Sequence, residues 1–459
     1  MRIPRSSGPR LLRSFAVRSA LGMVAVQAAV VATLVATDAI KRRSRSRRSG
    51  FPRPGTFEHT VAETGTTIYT YGEDLYRDML AAIRGARHRV LLETFIWKDD
   101  EVGREFLDAV NDAAARGVEV HVMYDGFGNL VVPRGFYRFH PDVHVFRFPV
   151  LRPRLLLSPL QATGLTHRKL LVVDDEVGFV GGYNLGSLYA TQWRDTHVRL
   201  TGPAAFELGH SFAAVWNHPS ARRPKLPHVN PGSWDSRVRA INNIPASLVY
   251  PIRSVYLDAI HRATDHIYLT TAYFIPDQQI LSALIEASRR GVDVRVILPE
   301  DSNHVLADWL SRGFYSTLLA ADITVLLYRH AMIHAKTATI DGQWSIVGTA
   351  NIDRLSLGFN YETNLEIHDR DVAADMEAVF AADSENCREL TADRWDERSP
   401  AAWFAETVLV AAPLPVTPWP SGAAQACPSG SSPAGAGPSC GRPRASCPVA
   451  PSRPPGRCW

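Results

Sequence analysis

The hydrophobic positions divide the chain into three regimes. Residues 19–37 form an uncharged run rich in Ala and Val, with Gln27 its one strongly polar member. At about 1.5 Å per residue, a helix of that length nearly spans the ~30 Å hydrocarbon layer of a bilayer. From residue 51 to about 400, short apolar runs alternate with segments whose apolar residues recur at helical spacing, which predicts an α/β protein. Beyond Pro413 the periodicity gives way to Pro, Ser, Ala, Gly, Arg and Cys. Such a composition cannot bury enough apolar surface to order itself, so residues 401–459 read as a tail, disordered from about 413.

The middle regime repeats itself. Ile83–Thr94 (IRGARHRVLLET) is echoed by Ile260–Thr271 (IHRATDHIYLTT) at an offset of 177. Arg116-Gly-Val-Glu-Val is echoed by Arg290-Gly-Val-Asp-Val at 174, and His167-Arg-Lys by His334-Ala-Lys at 167. Three matches in one order at nearly constant offset predict two homologous halves, each a whole lobe rather than a solenoid unit. Pro219, Pro224, Pro227 and Pro231 break regular structure between them, which divides the chain into a basic N-terminus (1–50), a first lobe (51–218), a linker (219–235) and a second lobe (236–400).

Charge sharpens this division. Residues 1–50 hold eleven Arg and Lys against Asp38, and the tail from 413 holds four Arg and no acid. The residues between carry a formal net charge of −10, hidden by the overall +4. A body that acidic disfavours general nucleic-acid binding, which depends on clustered cations. The basic clusters instead flank the apolar run 19–37, which reads as a single N-terminal membrane anchor. A cleaved signal peptide or a soluble basic arm are the other readings. Positive charge is nearly equal on its two sides, so sidedness is open. Four of the five cysteines fall in the last 33 residues, at spacings that match no zinc pattern and no disulfide framework.

Each half contains the pattern H-x-K-x4-D followed by a small-residue turn and Asn. The first copy is His167, Lys169, Asp174, Gly181, Gly182 and Asn184; the second is His334, Lys336, Asp341, Gly348, Thr349 and Asn351. Only five lysines occur among 50 basic residues, and two of them stand here. LLVVD and TATID are strand-like, so the His and Lys of each copy project from one face. Pairing the halves would gather two imidazoles, two ammonium groups and two amides. Imidazole offers a nucleophile or proton donor near neutral pH, and the cations and amides suit phosphoryl oxygens. Asp195 lies 28 residues after His167, and Glu362 lies 28 after His334. A carboxylate on the Nδ1–H of each imidazole would fix its tautomer and free Nε2. Asp174 and Asp341 read more readily as turn or salt-bridge residues than as bases. Nothing in the motifs has a zinc or calcium ligand pattern, so neither metal nor cofactor is expected.

These residues resemble the phospholipase D superfamily over about residues 60–400, and the second half, HAKTATIDGQWSIVGTANIDRLSLGFNYETNLEI, looks most like its bacterial cardiolipin synthase branch. The resemblance implies two α/β/α sandwich lobes with pseudo-two-fold symmetry and metal-free, two-step chemistry. One His attacks phosphorus to form a phosphohistidine; the other protonates the leaving alcohol and then activates the acceptor. It also implies the catalytic set His167, Lys169, Asp174, His334, Lys336 and Asp341, with Asn184, Asn351, Asp195 and Glu362 binding phosphate or orienting. Two departures stand out: one N-terminal apolar segment where that branch commonly has two, and Gly164-Leu-Thr166 before the first motif with Gly186-Ser-Leu-Tyr189 after it, in place of more polar and acidic versions.

Three activities fit: a membrane-anchored phosphatidyltransferase acting on phosphatidylglycerol-like phospholipids, a hydrolytic phospholipase D using water as acceptor, and a nuclease or other phosphodiesterase. The anchor and the acidic body favour lipid. Residues 134–157 interleave Arg134, Arg138, Arg147, Arg152 and Arg154 with Phe136, Tyr137, Phe139, Phe146 and Phe148 before Leu155-Leu-Leu157. That stretch suits lobe packing, a lipid-contacting lip, or single-stranded nucleic acid.

Overall fold

The computed structural model describes residues 50–150, 164–217, 224–227 and 237–398, with Ala29, Thr33, Thr37 and Trp403. The anchor expected at 19–37 otherwise lies outside the described residues, as does the tail from 413. Among the described residues, no helix is long and apolar enough to cross a membrane.

The first half runs β1 (Thr56–Val61), β2 (Thr64–Tyr69), α1 (Gly72–Gly85), β3 (Arg89–Thr94), α2 (Glu101–Ala115), β4 (Glu119–Asp125), β5 (His144–Phe148), β6 (Leu170–Val173), β7 (Val177–Gly181), β8 (Trp193–Arg194), β9 (His197–Thr201) and α3 (Pro203–Trp216). The second runs β10 (Val238–Asn243), α4 (Pro251–Arg262), β11 (His266–Thr270), β12 (Phe274–Ile275), α5 (Gln278–Arg289), β13 (Asp293–Pro299), β14 (Thr324–Tyr328), β15 (Met332–Ile333), β16 (Thr337–Ile340), β17 (Trp344–Gly348), β18 (Ile352–Asp353), β19 (Glu362–His368), α6 (Arg370–Glu385) and β20 (Cys387–Glu389).

Each half builds one mixed eight-stranded sheet, in the orders β1-β2-β9-β7-β6-β3-β4-β5 and β10-β19-β17-β16-β11-β13-β14-β20. Seven strands correspond one to one: β2 with β10, β9 with β19, β7 with β17, β6 with β16, β3 with β11, β4 with β13 and β5 with β14. The extra strand sits at opposite edges, β1 in one sheet and β20 in the other. The repeat in the sequence is thus a repeat in topology.

The central strands are continuously apolar because both faces are covered. In β3, Val90 and Leu92 join the core beneath α1 and α2, while Leu91 points to the opposite core; in β6, Leu171 and Val173 face the first and Leu170 and Val172 the second. That alternation is the period of two of a strand buried on both sides. α1 seals its face with Leu75, Tyr76, Met79, Leu80 and Ile83, spaced to form one stripe. Asp100, Asp277 and Asp369 cap α2, α5 and α6 by accepting backbone N–H bonds of the first turn.

The second core joins the halves. It holds Leu91, Leu170, Phe212 and Trp216 together with Val347, Tyr361, Leu365 and Met376. The helix that closes each half reaches the other: Glu207 of α3 accepts from the Ala240 backbone N–H at 2.9 Å, Ser211 accepts from Asn242 at 2.8 Å, and Asp375 of α6 pairs with His59 of β1 at 2.6 Å. The aromatics of 134–157 that are described belong to packing. Phe136, Tyr137 and Phe139 surround Trp97, and Phe148 meets Tyr361 edge-on at 5.2 Å. Arg134, Arg138 and Arg147 are exposed, whereas Arg152, Arg154 and Leu155-Leu-Leu157 lie outside the described residues.

Candidate active site

His167 and His334 precede β6 and β16, and a short parallel pairing between the halves holds each. β15 pairs with β8, placing Ile333 opposite Arg194, and Thr166 bridges to Tyr361 in the same sense. The backbone N–H of His334 donates to Arg194 O at 2.7 Å, and that of His167 donates to Tyr361 O at 3.0 Å. Arg194 and Tyr361 immediately precede Asp195 and Glu362. Each motif is therefore laid beside the acid-bearing strand of the opposite half.

The imidazole–carboxylate pairs are crossed as a result. His334 Nδ1 lies 2.7 Å from Asp195 Oδ2, and His167 Nδ1 lies 3.1 Å from both Glu362 oxygens. Asp195 and Glu362 each meet an imidazole Nδ1, and each does so on the histidine of the other half. The equivalent turn residues fit their acids. A Cβ at Gly182 would overlap the Asp195 carboxylate, whereas Thr349 donates its hydroxyl to Glu362 Oε2 at 2.5 Å.

Lys169 donates its ammonium to His167 O at 2.6 Å, and Lys336 donates to His334 O. Both lysines are buried, and burial pulls Lys169 down to about 7 and Lys336 to about 8, against the upward pull of the nearby acids. Burial pushes Asp195 up to about 6. It also lowers both imidazoles, His334 well below its ordinary value, where the two lysines and His167 add to the effect. Burial thus favours the neutral forms of both imidazoles and of both lysines. An arriving phosphate anion would favour the charged forms of the lysines and histidines and push the Asp195 carboxyl further up. Asn184 Oδ1 accepts from the Ile96 N–H at 3.1 Å, and Asn351 Oδ1 lies 3.5 Å from Thr271 Oγ1, contacts that orient the amides, whose NH2 groups can donate to a ligand.

Asp174 and Asp341, the acids that complete the two motifs, are not brought into this cluster. They stand past the far ends of β6 and β16 with φ of 54° and 53°. Asp174 accepts the backbone N–H groups of Arg87, His88 and Arg89 at 2.8–2.9 Å, and Asp341 those of Thr264, Asp265 and His266 at 2.9–3.0 Å. They tie the loop entering β3 or β11 to the turn leaving the motif strand. Of the ten expected residues, the two His and Lys pairs, Asp195 and Glu362 interact with one another, while Asp174 and Asp341 stand apart as the turn residues their sequence context suggested and not in the catalytic set the resemblance implied. Among the described residues, no group of three or more His, Cys, Asp or Glu could hold a metal ion.

The family model described as the phospholipase D-like domain of cardiolipin synthase matches this chain twice, at residues 79–216 and 256–384, once per half. The chain belongs to that family. Its relatives include a cardiolipin synthase of Staphylococcus aureus, 32% identical over 353 residues that make up 74% of this chain and 71% of that one. A cardiolipin synthase of Clostridium perfringens is 29% identical over 360 residues, covering 74% and 75%. The solved phosphatidylserine synthase of Haemophilus influenzae Rd KW20 superposes with a TM-score of 0.58 over 77% of this chain and 93% of that chain, at 16% identity, a likeness of fold. Membership in the phospholipase D-like cardiolipin synthase family makes this chain an enzyme of phospholipase D type.

Several residues beneath the family's motif escape sequence reasoning. Arg168, between His167 and Lys169, is fully buried and forks onto both oxygens of Glu93, while Thr166 donates to the same carboxylate. Arg194 forks onto Asp383 of α6 at 2.8 and 2.9 Å. Both pairs anchor the strands that carry the histidines and Asp195. The available signal was an acid in the otherwise apolar run VLLETF. Phe95 packs its ring against His167 at 4.9 Å, and Trp193 against His334 at 5.0 Å.

Proposed function

We propose that the enzyme is a cardiolipin synthase-like phosphatidyltransferase that moves a phosphatidyl group between phospholipids through a phosphohistidine on His167, with His334 as general acid and base. The crossed pairs carry this reading. Each imidazole has its Nδ1 held by a carboxylate, which leaves Nε2 for chemistry, and each ammonium group is close enough to act on both carboxylates. One phosphorus can be attacked from one side while its leaving oxygen is protonated from the other. His167 is the less enclosed, with 12% of its side chain exposed against 5% for His334, which suits the group that must reach phosphorus. His334 has the shorter carboxylate contact, which suits the group that carries a proton and returns it. The lysines and the two asparagine NH2 groups would hold the phosphoryl oxygens through the transition state. No metal is required, because the lysines supply the positive charge. The apolar run at 19–37 would hold the enzyme at a membrane.

The test is product analysis. The purified enzyme is incubated with phosphatidylglycerol, alone and with phosphatidylethanolamine, and products are read by mass spectrometry. Cardiolipin and free glycerol are expected. Phosphatidic acid as the sole lipid product would favour hydrolysis and sink the transferase reading, and no lipid turnover with cleavage of single-stranded DNA would make it a nuclease.

A further inference from the structure

The repeat that makes the two halves alike also exposes where they differ around the histidines. The loops leaving β4 and β13 occupy equivalent places, so Asn129 corresponds to Asn303 and Leu130 to His304 at the offset of 174. On the first half, Asn129 is buried and its amide is spent on the backbone of Phe95, Trp97 and Asp125. That turns the side chains around it outward: Phe127, Leu130 and Val131 are 52%, 57% and 82% exposed. The loop packs on Phe95, since a Cβ at Gly128 would meet that ring, and Phe95 lies against His167. This wall is apolar from the histidine outward.

On the second half residues 301–304 are polar, and Val305 and the 43%-exposed Leu306 follow them. Asn303 and His304 are exposed. Tyr273, equivalent to Ile96, donates its hydroxyl to Asn303 Oδ1 at 2.6 Å and lies 6.5 Å from the His334 ring and 5.7 Å from that of His304. The Tyr273–Asn303 contact leaves the Asn303 NH2 and the His304 ring to meet hydroxyl groups at the rim.

We propose that Tyr273, Asn303 and His304 form an acceptor subsite that binds the polyol headgroup of the incoming phospholipid, while Phe95, Phe127, Leu130 and Val131 flank the diacylglyceryl side. This rests on the phosphatidyl-transfer reading. In the second step the P–Nε2 bond to His167 breaks, a P–O bond to the acceptor forms, and the acceptor's proton passes to Nε2 of His334. The attacking hydroxyl must therefore lie on the His334 side, where these three polar residues are. Hydrogen bonds to the neighbouring hydroxyl of a glycerol headgroup would favour it over water, which carries no second hydroxyl to bind.

The experiment uses the full-length enzyme with phosphatidyl-p-nitrophenol as donor, whose leaving group needs no polyol recognition. Phosphatidylglycerol or free glycerol is supplied as acceptor, and transfer relative to hydrolysis is normalised to nitrophenolate released. Asn303→Ala, His304→Ala and the isosteric Tyr273→Phe should each lower that ratio about tenfold or less, and Asn303→Ala with His304→Ala together by more, with both acceptors. Leu130→Ser with Val131→Ser should change the donor KM and not the ratio. A double variant that partitions as wild type does would overturn the subsite alone, as would a loss confined to phosphatidylglycerol, which would mark lipid rather than polyol recognition. A wild type that releases no nitrophenolate and transfers nothing would overturn the phosphatidyl-transfer reading and the subsite with it.

Discussion

Glu362 and His167 meet across the boundary between the halves: Nδ1 lies 3.1 Å from both carboxylate oxygens, although the residues are 195 positions apart. Asp195 and His334 make the reciprocal contact at 2.7 Å. Neither half alone contains an oriented histidine. Asp195→Asn should remove the anion that supports the protonated form of His334 and lower kcat about 10²–10⁴-fold, with Glu362→Gln acting likewise on His167. Steady-state kinetics with folding checked by circular dichroism measures this. A loss under threefold in both variants would mean the crossed contacts are packing only.

A site shared between halves also predicts non-additivity. His167→Ala and His334→Ala should each abolish turnover, and the double variant should be little worse than either. Near-wild-type rate in either single variant would mean two independent sites.

The motif acids should separate from the catalytic residues in their effects. Asp174→Ala leaves three backbone N–H groups without their acceptor and should cost about 1–3 kcal/mol of stability, as should Asp341→Ala, read from urea denaturation. Burial pushes the Asp174 carboxyl up, but the bonds from Arg89, Arg87 and His88 outweigh it and hold it below the ordinary range. A depressed carboxyl contributes stability that is present above its unfolded pKa and is lost as pH falls through the folded one. The Asp174→Ala penalty should therefore shrink in acid. A kcat loss as large as that of Asp195→Asn, at unchanged stability, would return Asp174 to the catalytic set.

How much of this was legible follows from what each feature depends on. The pairing of His with Lys on one face needs only strand periodicity, and the two acids are marked by equal 28-residue spacing. The crossing depends on Thr166 lying beside Tyr361 and Ile333 beside Arg194, contacts that no local pattern encodes. Asp174 and Asp341 sit in the motif yet point elsewhere, because a left-handed turn aims them at the loop entering the neighbouring strand. Arg168 and Arg194 look like two more of 45 arginines until the sheet buries them on Glu93 and Asp383.

The pH profile follows from burial. With Asp195 at about 6, the carboxylate is lost below that pH, and His334 with it. With Lys169 at about 7 and Lys336 at about 8, the ammonium charges are lost above. The kcat/KM profile, which reports the free enzyme, should be bell-shaped with its maximum between these limits. Phosphate binding favours the charged lysines, so the basic limb of kcat should lie higher than that of kcat/KM. A flat kcat/KM across about pH 5–9 would show that none of these groups matters to the first step.

The order of roles is the sharpest prediction. The crossing gives Asp195 to His334 and Glu362 to His167. The assignment of His167 as nucleophile rests on its greater exposure and on the shorter, more enclosed Asp195–His334 pair, suited to hold and return a proton. Burial and the two lysines disfavour a proton on His334, and a phosphate anion bound beside them would favour the protonated form that must donate. Rapid quench with a slow phospholipid substrate, followed by mass spectrometry of peptides kept away from acid, should place the phosphoryl label on the peptide bearing His167. In His334→Ala the label should accumulate with a substrate whose leaving group needs no proton, because attack remains and release is blocked. A label confined to the peptide bearing His334 would exchange the two roles and leave the crossed architecture standing.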